Sequence, residues 1–422
     1  MANYKYLQKL NGKRIALLGL GLDNQALLAL LKKQKIKAEI IIKDKKQDPQ
    51  GFNQNLYQYD WLFRSPGWPL LCPGIQEALK KEQTEISSAL NLFFALCPTK
   101  NIIGITGTKG KGTTASLIYK ILKDAGKKVW LGGNIGIPPL SFLDKIKPSD
   151  YVVLELSSFQ LEDLKYSPRI SVITNLYKEH LAPADPNNPN FHRSYNKYWQ
   201  AKLNIALFKA NQYLVANKNL AKKLKGVKLP GKLIYFSANS LPSKLIGNYN
   251  QENIGAALAV AKILKIKPQS IKKSIANFGN LEHRLEFVKE IAGVKYFDNS
   301  FSTTPESTIL DLKSFTSPII QIAGGADKGA SFKSLAKIIK AKVKFLILLP
   351  GQATPRLKKD LLNSKFPREK IGEANNMITA VKLAKQKAGR GDIVLLSTAC
   401  ASFGIFKNYK ERGNLFKKYV RS

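Results

Sequence analysis

An α/β protein of alternating strands and helices is what this sequence predicts, on three observations. Apolar runs of strand length recur along the chain, separated by stretches with helical spacing. A glycine-rich turn, GITGTKGKGTT at 104–114, stands between a strand-like run and an amphipathic helix. The 422 residues, 44% of them hydrophobic, suffice for two or three domains with a sizeable core.

The elements follow in order. RIALLGLGL reads as a strand, DNQALLALLKKQ as a helix and AEIIIKD as a second strand, before a tight SPG turn at 65–67. That is a βαβ beginning. Gly19-Leu20-Gly21 with Asp44 at the end of the next strand resembles a dinucleotide fingerprint, but Asn24 stands at the third glycine position. A plain strand–helix turn is an equal reading there. A second segment opens with NIIGIT at 101–106 and a helix TTASLIYKILKDAG, whose Leu117, Ile118, Ile121, Leu122 and Ala125 form one stripe ended by Gly126. Strand-like runs recur at KKVWLGG, YVVLELSS and SVITNL. A third segment begins near NLEHRLEFV and alternates SPIIQIAGG, VKFLILLPG, a helix over 376–388, a GRGD turn and a strand IVLLS.

Composition excludes several classes. Runs such as Ile102–Ile105 and Ile393–Leu396 are too short to span a bilayer, so membrane insertion is not expected. The N-terminus lacks the apolar core of a signal peptide. Cys72, Cys97 and Cys400 are too few and scattered for a disulfide framework or a zinc site, which suits a reducing cytoplasm. The net charge of +39 would suit a polyanionic partner. Lysine, however, is spread along the whole chain, arginine is scarce, and no nucleic-acid motif is present. Specific nucleic-acid binding is therefore not expected.

The glycine loop carries the clearest chemistry. Strand, loop, lysine and helix come in the order that phosphate binding requires. Backbone N–H groups at the helix start and the helix dipole favour an anion there. Gly107, Thr108, Lys109, Gly110, Lys111, Gly112 and Thr113 form the expected cradle, with Lys111 reaching for the β/γ-phosphates. One part is missing: Gly112 occupies the place where such loops carry a metal-binding hydroxyl. Glu155 ends a strand beside the loop and is a candidate Mg²⁺ ligand. His180, one of three histidines, follows the strand SVITNL.

These residues resemble the Mur ligase family. GTKGKGTT, ELSSFQLE, GNIG at 133–136, NLYKEHL, YWQAKLNI, NYNQENIGAA, EHRLEFV, NSFSTTPEST, GGADKG and STACASFGIFKNYKERG are all similar to family motifs, over nearly the whole chain. SSFQL and ACASFGIFKNYKERG are similar to the D-glutamate-adding branch. The resemblance implies α/β architecture in three domains: a Rossmann-like N-terminal domain over 1–96 for the UDP-substrate, a P-loop ATPase domain over 97–279, and a Rossmann-like C-terminal domain over 280–422 for the amino acid. It implies ATP-dependent amide ligation through an acyl phosphate, with UDP-MurNAc-L-Ala and D-glutamate as small-molecule substrates, ATP and Mg²⁺ as cofactors, and a cytoplasmic monomer.

The implied roles are these. Lys111, His180 and Lys202 are catalytic, and Glu155, His180 and a carbamylated Lys202 hold metal. Asn250, Asn253, Arg284, Asp298 and Asn299 join the loop in binding nucleotide. Leu22, Asp23, Asp44, Lys46, Ser65 and Asn134 meet the UDP-sugar side. Thr303, Lys328, Ser402, Phe403 and Tyr409 surround D-glutamate. The chain departs from the family pattern at Gly112, at Asn299 (usually Asp), at Tyr249 (usually His), at Lys46 (usually Arg) and in the longer stretch APADPNNPNFH. Two other readings stay open here: a ligase of the same superfamily with another acceptor, such as a folylpolyglutamate synthetase, and a catalytically impaired nucleotide-binding homologue.

Overall fold

The computed structural model describes residues 4–181, 190–327 and 329–422. Lys328 and most of the long APADPNNPNFH stretch lie outside the described residues. The chain is α/β throughout and is built on three sheets. The first contains β1 (Arg14–Leu18), β2 (Glu39–Lys43), β3 (Trp61–Arg64) and β4 (Glu85–Ser87), in the order β2-β1-β3-β4. All its pairings are parallel.

The second sheet contains β5 (Ile102–Thr106), β6 (Val129–Gly133), β7 (Tyr151–Glu155), β8 (Ile170–Ile173), β9 (Tyr213–Asn217) and β10 (Lys232–Phe236). Its order is β10-β9-β8-β5-β7-β6, again all parallel. A parallel sheet is covered on both faces, so its strands read as unbroken apolar runs. β5 is buried at every position. From β5 the chain runs to β6 at one edge and returns through β7 beside β5, then crosses to β8 on β5's other side. Its carboxyl end is thus a topological switch point, where open α/β sheets hold ligands. β9 and β10 are not among the strands singled out from the sequence. The edge strand β10 is only partly buried and its sequence, KLIYF, carries a weak pattern.

The third sheet contains β11 (Glu286–Ile291), β12 (Val294–Asp298), β13 (Ile319–Ala323), β14 (Val343–Leu348), β15 (Ile371–Glu373) and β16 (Ile393–Leu396). Its order is β11-β12-β16-β13-β14-β15, and only β11 runs antiparallel. The helix expected over 376–388 spans Met377–Lys387, and Asn376 caps it through the Thr379 amide.

The chain divides into two compact units: residues 1–242 with 251–277, and residues 243–250 with 278–422. In the first unit the two parallel sheets share one apolar core. Phe93 and Leu96, from the helix Ala89–Leu96, meet Phe142, Leu143 and Leu154 there. In the second unit the short segment 243–250 is tied in by a bridge from Lys244 to Gly279 and by the Ile246 amide, which donates to Asn280 Oδ1.

Candidate active site

The glycine loop leaves the carboxyl end of β5 and enters the helix Lys111–Asp124. Lys111 and Gly112 form its first turn, so the helix begins two residues earlier than TTASL suggests. Gly110 caps it with φ +81°, and a β-carbon there would lie 2.1 Å from Asn253 Oδ1. Gly107, at φ +141°, leaves only 2.0 Å to Thr174 Oγ1. Glycine is needed at both places for conformation and for room. Asn175 holds the loop from β8's side: its carbonyl accepts from the Thr108 amide at 3.0 Å and its Oδ1 from the Lys109 amide at 2.8 Å. Thr108 Oγ1 lies 3.0 Å from the buried Tyr198 hydroxyl. The Lys111 ammonium donates to Thr108 O at 3.0 Å. Lys109 pairs with Glu179 at 2.8 Å. Thr113 is buried in the first turn of the helix.

Lys202 projects from the helix Tyr195–Leu203 into the underside of this loop. It is 1% exposed, and its Nζ donates to Gly107 O at 2.8 Å. Burial first, and then the neighbouring Lys111, push its ammonium well below the usual lysine value, against the opposing pull of Glu179 and Glu155. Glu155 ends β7 with one oxygen, Oε1, accepting from Asn134 Nδ2 at 2.9 Å. Among the described residues its buried Oε2 has no hydrogen-bond partner, nor has Thr106 Oγ1 at the end of β5. A buried carboxylate oxygen left without a donor is a fitting place for a hard cation.

His180 is exposed. Desolvation, with Lys202 and Lys111 adding to it, pushes its imidazole down to about 4 despite Glu179. Glu179 is itself held at about 2, because Lys109, His180 and Lys111 outweigh the effect of burial. The loop region thus offers cationic lysines for a polyanion, unpaired oxygens for a metal, and a lysine inclined to be a neutral amine.

A cleft of about 200 Å³ lies in the same unit, lined by Leu22, Asp23, Ser65, Asn134 and Gln160 among others. Four of the residues expected on the UDP-sugar side therefore share one cavity. Gln160 Nε2 donates to Asp23 Oδ2 at 3.2 Å, while burial raises the Asp23 carboxyl above its usual range. Asp44 and Lys46 are not among the lining residues. Asp44 instead accepts from the amides of Leu20 and Lys46 at 3.0 and 2.9 Å, which holds its carboxyl low and closes a turn. Asn24 explains the broken fingerprint. Its buried Nδ2 donates to Gly19 O at 2.8 Å and Phe63 O at 3.1 Å, tying the ends of β1 and β3 together. The site of the third glycine is here a structural clamp.

In the second unit, four segments converge near the carboxyl ends of β12 and β16. The Asn299 amide donates to Leu396 O at 2.8 Å. The Arg284 guanidinium lies 3.7 Å from the centre of the Phe301 ring, and Tyr409 meets that ring edge-on. Buried Arg412 binds Ser300 O at 2.8 Å and Cys400 O at 3.2 Å, fastening the ACAS turn to the Asn299 turn. Ser402 is buried, Thr303 half-buried and Phe403 42% exposed. Asp298 points inward: it is fully buried and engaged by His283 Nδ1 at 2.7 Å and by the Ser300 amide at 2.8 Å. Asn250 Nδ2 donates to Ile246 O at 2.6 Å. Sequence reasoning did not single out Asn175, Glu179, Tyr198, Gln160 or His192. All but His192 lie inside the quoted family-like stretches, which was the available signal.

The chain is similar to known proteins along its length. Residues 105–240 match the model of the Mur ligase middle domain, and residues 283–400 that of the Mur ligase glutamate ligase domain. The chain is 36% identical to the UDP-N-acetylmuramoylalanine–D-glutamate ligase of Acetivibrio thermocellus, covering 99% of this chain and 98% of that one. It is 34% identical to the protein of the same name from Clostridium kluyveri, with 98% of each covered. Among solved structures, the MurF ligase of Thermotoga maritima in complex with ADP superposes with a TM-score of 0.62 at 16% identity, over 98% of this chain and 96% of that one. Escherichia coli FolC in complex with DHPP and ADP gives 0.58 at 16% identity, over 78% and 91%. Those two likenesses concern the fold alone.

Proposed function

The chain belongs to the Mur ligase family, and on that premise we propose that it is the ATP-dependent ligase that joins D-glutamate to UDP-N-acetylmuramoyl-L-alanine in peptidoglycan precursor synthesis. The observation that carries the ligase chemistry is the buried Lys202, its ammonium destabilised beneath a phosphate-binding loop. The full-length likeness to D-glutamate ligases selects the acceptor.

A carboxylate is a poor electrophile until one oxygen becomes a leaving group. Transfer of the ATP γ-phosphoryl group to the substrate's terminal carboxylate makes that oxygen part of an acyl phosphate. The neutral amine of D-glutamate then attacks the carbonyl carbon and gives up a proton. The tetrahedral intermediate expels phosphate, leaving an amide, ADP and phosphate. The loop N–H groups with Lys109 and Lys111 orient and neutralise the polyphosphate. The sugar end occupies the cleft at Leu22, Asp23, Ser65 and Asn134. Thr303, Lys328, Ser402, Phe403 and Tyr409 receive D-glutamate, whose two carboxylates suit a cation and hydroxyls.

The donor set fits a divalent metal. Glu155 has an unpaired buried oxygen, His180 is held neutral with a lone pair to give, and Lys202 completes the set as a carbamate. Mg²⁺ bound there supplies charge neutralisation among the crowded oxyanions. A lysine pushed towards the neutral amine is the form that adds CO₂, losing a proton and becoming a carboxylate-like ligand. Gly112 therefore takes away one metal-binding hydroxyl and leaves three donors in place. The same reading makes the protein a cytoplasmic monomer; among the described residues no helix is long and apolar enough to cross a membrane.

The test is amide formation from UDP-MurNAc-L-Ala, ATP and Mg²⁺ with D-glutamate, L-glutamate, L-alanine or L-lysine, each product identified by mass. A D-glutamate adduct formed with one phosphate released per amide is expected. Adducts with another acceptor alone would move the chain to a different ligase of the superfamily. ATP binding without turnover would make it an impaired homologue.

A further inference from the structure

His192 has no role in the reaction outlined above, yet it is one of the most highly connected polar side chains near the cleft. It is 2% exposed. Its Nε2 lies 2.9 Å from Ser158 Oγ, and its Nδ1 lies 3.2 Å from Glu162 Oε1. Serine, histidine and a carboxylate in that order resemble a nucleophilic triad. Ser158 is 2% exposed, however, and sits inside the short turn that starts Ser158–Leu161, so no acyl group can reach its hydroxyl. The arrangement is a fastening.

What it fastens can be followed outward. The His192 ring stacks on Phe159, with centroids 4.8 Å apart and planes at 7°. Phe159 also meets His180, edge-on with centroids 5.0 Å apart. The His192 backbone amide also donates to His180 O at 2.8 Å. Glu162, held by His192 on one oxygen, lies 3.5 Å from the fully buried guanidinium of Arg64. Arg64 continues the chain of contacts to Asp163 at 2.9 Å, Phe159 O at 2.6 Å and Trp68 O at 2.8 Å. Arg64 immediately precedes Ser65 and Pro66, which form one wall of the cleft, and Gln160 in the Ser158–Leu161 turn forms another. Asn190 Nδ2 closes the ring by donating to Pro66 O at 2.8 Å.

We propose that His192 is a positioning residue for the UDP-substrate: through Ser158, Glu162 and Phe159 it fixes the Gln160 turn and the backbone at His180, and so sets the shape of the sugar end of the cleft. The inference rests on the function proposed above. A side chain that locks the partners of binding groups acts on affinity first, since the groups themselves remain present. Removing the imidazole leaves the Ser158 hydroxyl without its ring partner, takes one partner from the Glu162 carboxylate and removes one face of the Phe159 stack. The turn is then free to sample geometries that do not bind.

The test uses the full-length protein and UDP-MurNAc-L-Ala itself. Titration of that compound by calorimetry, without ATP, gives its affinity for the parent chain and for His192→Ala and His192→Gln. Steady-state ligation gives KM for each of the three substrates. A loss of about tenfold in affinity and KM for the UDP-substrate is expected in His192→Ala. KM for ATP and D-glutamate should move by less than about threefold, and His192→Gln, which can still reach Ser158, should recover part of the loss. Thermal unfolding of each variant reports any general loss of structure. Unchanged affinity in His192→Ala, or equal losses for all three substrates, would overturn the proposal. Failure of the parent chain itself to bind UDP-MurNAc-L-Ala would instead refute the function on which it rests.

Discussion

Replacing Gly110 by alanine tests whether the loop is built as close to its limits as the geometry implies. Two costs add. At φ +81° an alanine is held in left-handed backbone, at roughly 1 kcal/mol. Its β-carbon would also stand 2.1 Å from Asn253 Oδ1, so Asn253 must move. That motion breaks the bond from Thr114 Oγ1 at 3.2 Å, worth about 1 kcal/mol. The sum is about 2 kcal/mol, concentrated at the glycine loop. Gly126→Ala is the control: its φ is +74° and nothing lies within 4 Å of the new carbon, so only the backbone cost of roughly 1 kcal/mol applies. Urea unfolding of both variants measures the difference, and initial rates against ATP concentration measure its local consequence. Gly110→Ala should lose about 1 kcal/mol more stability than Gly126→Ala. It should also lose about 10- to 100-fold in kcat/KM for ATP, since each 1.4 kcal/mol is a factor of ten. Equal destabilisation in the two variants, or an unaltered kcat/KM, would refute the packing argument.

Lys111→Ala should lower the ligation rate by about 10²-fold or more, because it removes a cation directed at the transferring phosphate; near-normal turnover would exclude Lys111 from the chemistry. Gly112→Ser should lower the Mg²⁺ concentration for half-maximal rate and leave the saturated rate nearly unaltered, as read from rate against Mg²⁺ for both proteins. Should the parent be inactive at every Mg²⁺ concentration and the serine variant active, the loop hydroxyl is indispensable. Asp163→Ala strands the buried Arg64 charge and should cost about 3–5 kcal/mol in urea unfolding; a loss under about 1 kcal/mol would mean that Glu162 and the carbonyls suffice. Burial pushes the Cys97 thiol up to about 11 and Cys400 up to about 12. Both should therefore resist alkylation at pH 8 in the native protein and react once unfolded, as counted by mass. Folding holds these thiols protonated, so the stability they lend is whole below the unfolded value of about 8.5 and declines as pH rises above it.

Much of the fold and part of the site lie in short-range pattern. Apolar runs of five or six residues mark buried parallel strands, and the order of strand, glycine loop, lysine and helix is equally plain, because neighbours along the chain determine both. Leu22, Asp23, Ser65 and Asn134 could be named from motif likeness, and they do share a cleft. Asp44 lies outside that cleft's lining, and its carboxylate accepts from the Lys46 amide in its own turn and from the Leu20 amide 24 residues away, a pairing that no local window reports. β10 escapes notice because an edge strand buries too little to show a pattern. The depressed ammonium of Lys202 and the inward turn of Asp298 are likewise products of burial, which no local window reports.

Contacts between residues far apart in the chain belong to tertiary structure alone. Thr114 meets Asn253 across 139 positions, Arg64 meets Asp163 across 99, and Ser158 meets His192 across 34. The sequence by itself determined that the chain is α/β, where buried strands such as β1, β5 and β13 lie, and which family the chain resembles. Only the packed chain decided that His192 faces Ser158 and Glu162, or that Asn24 clamps two strand ends in place of a glycine. A side chain's partners are set by the sum of all packing contacts, and residues far apart in the chain carry no mark of one another until the core has brought them together.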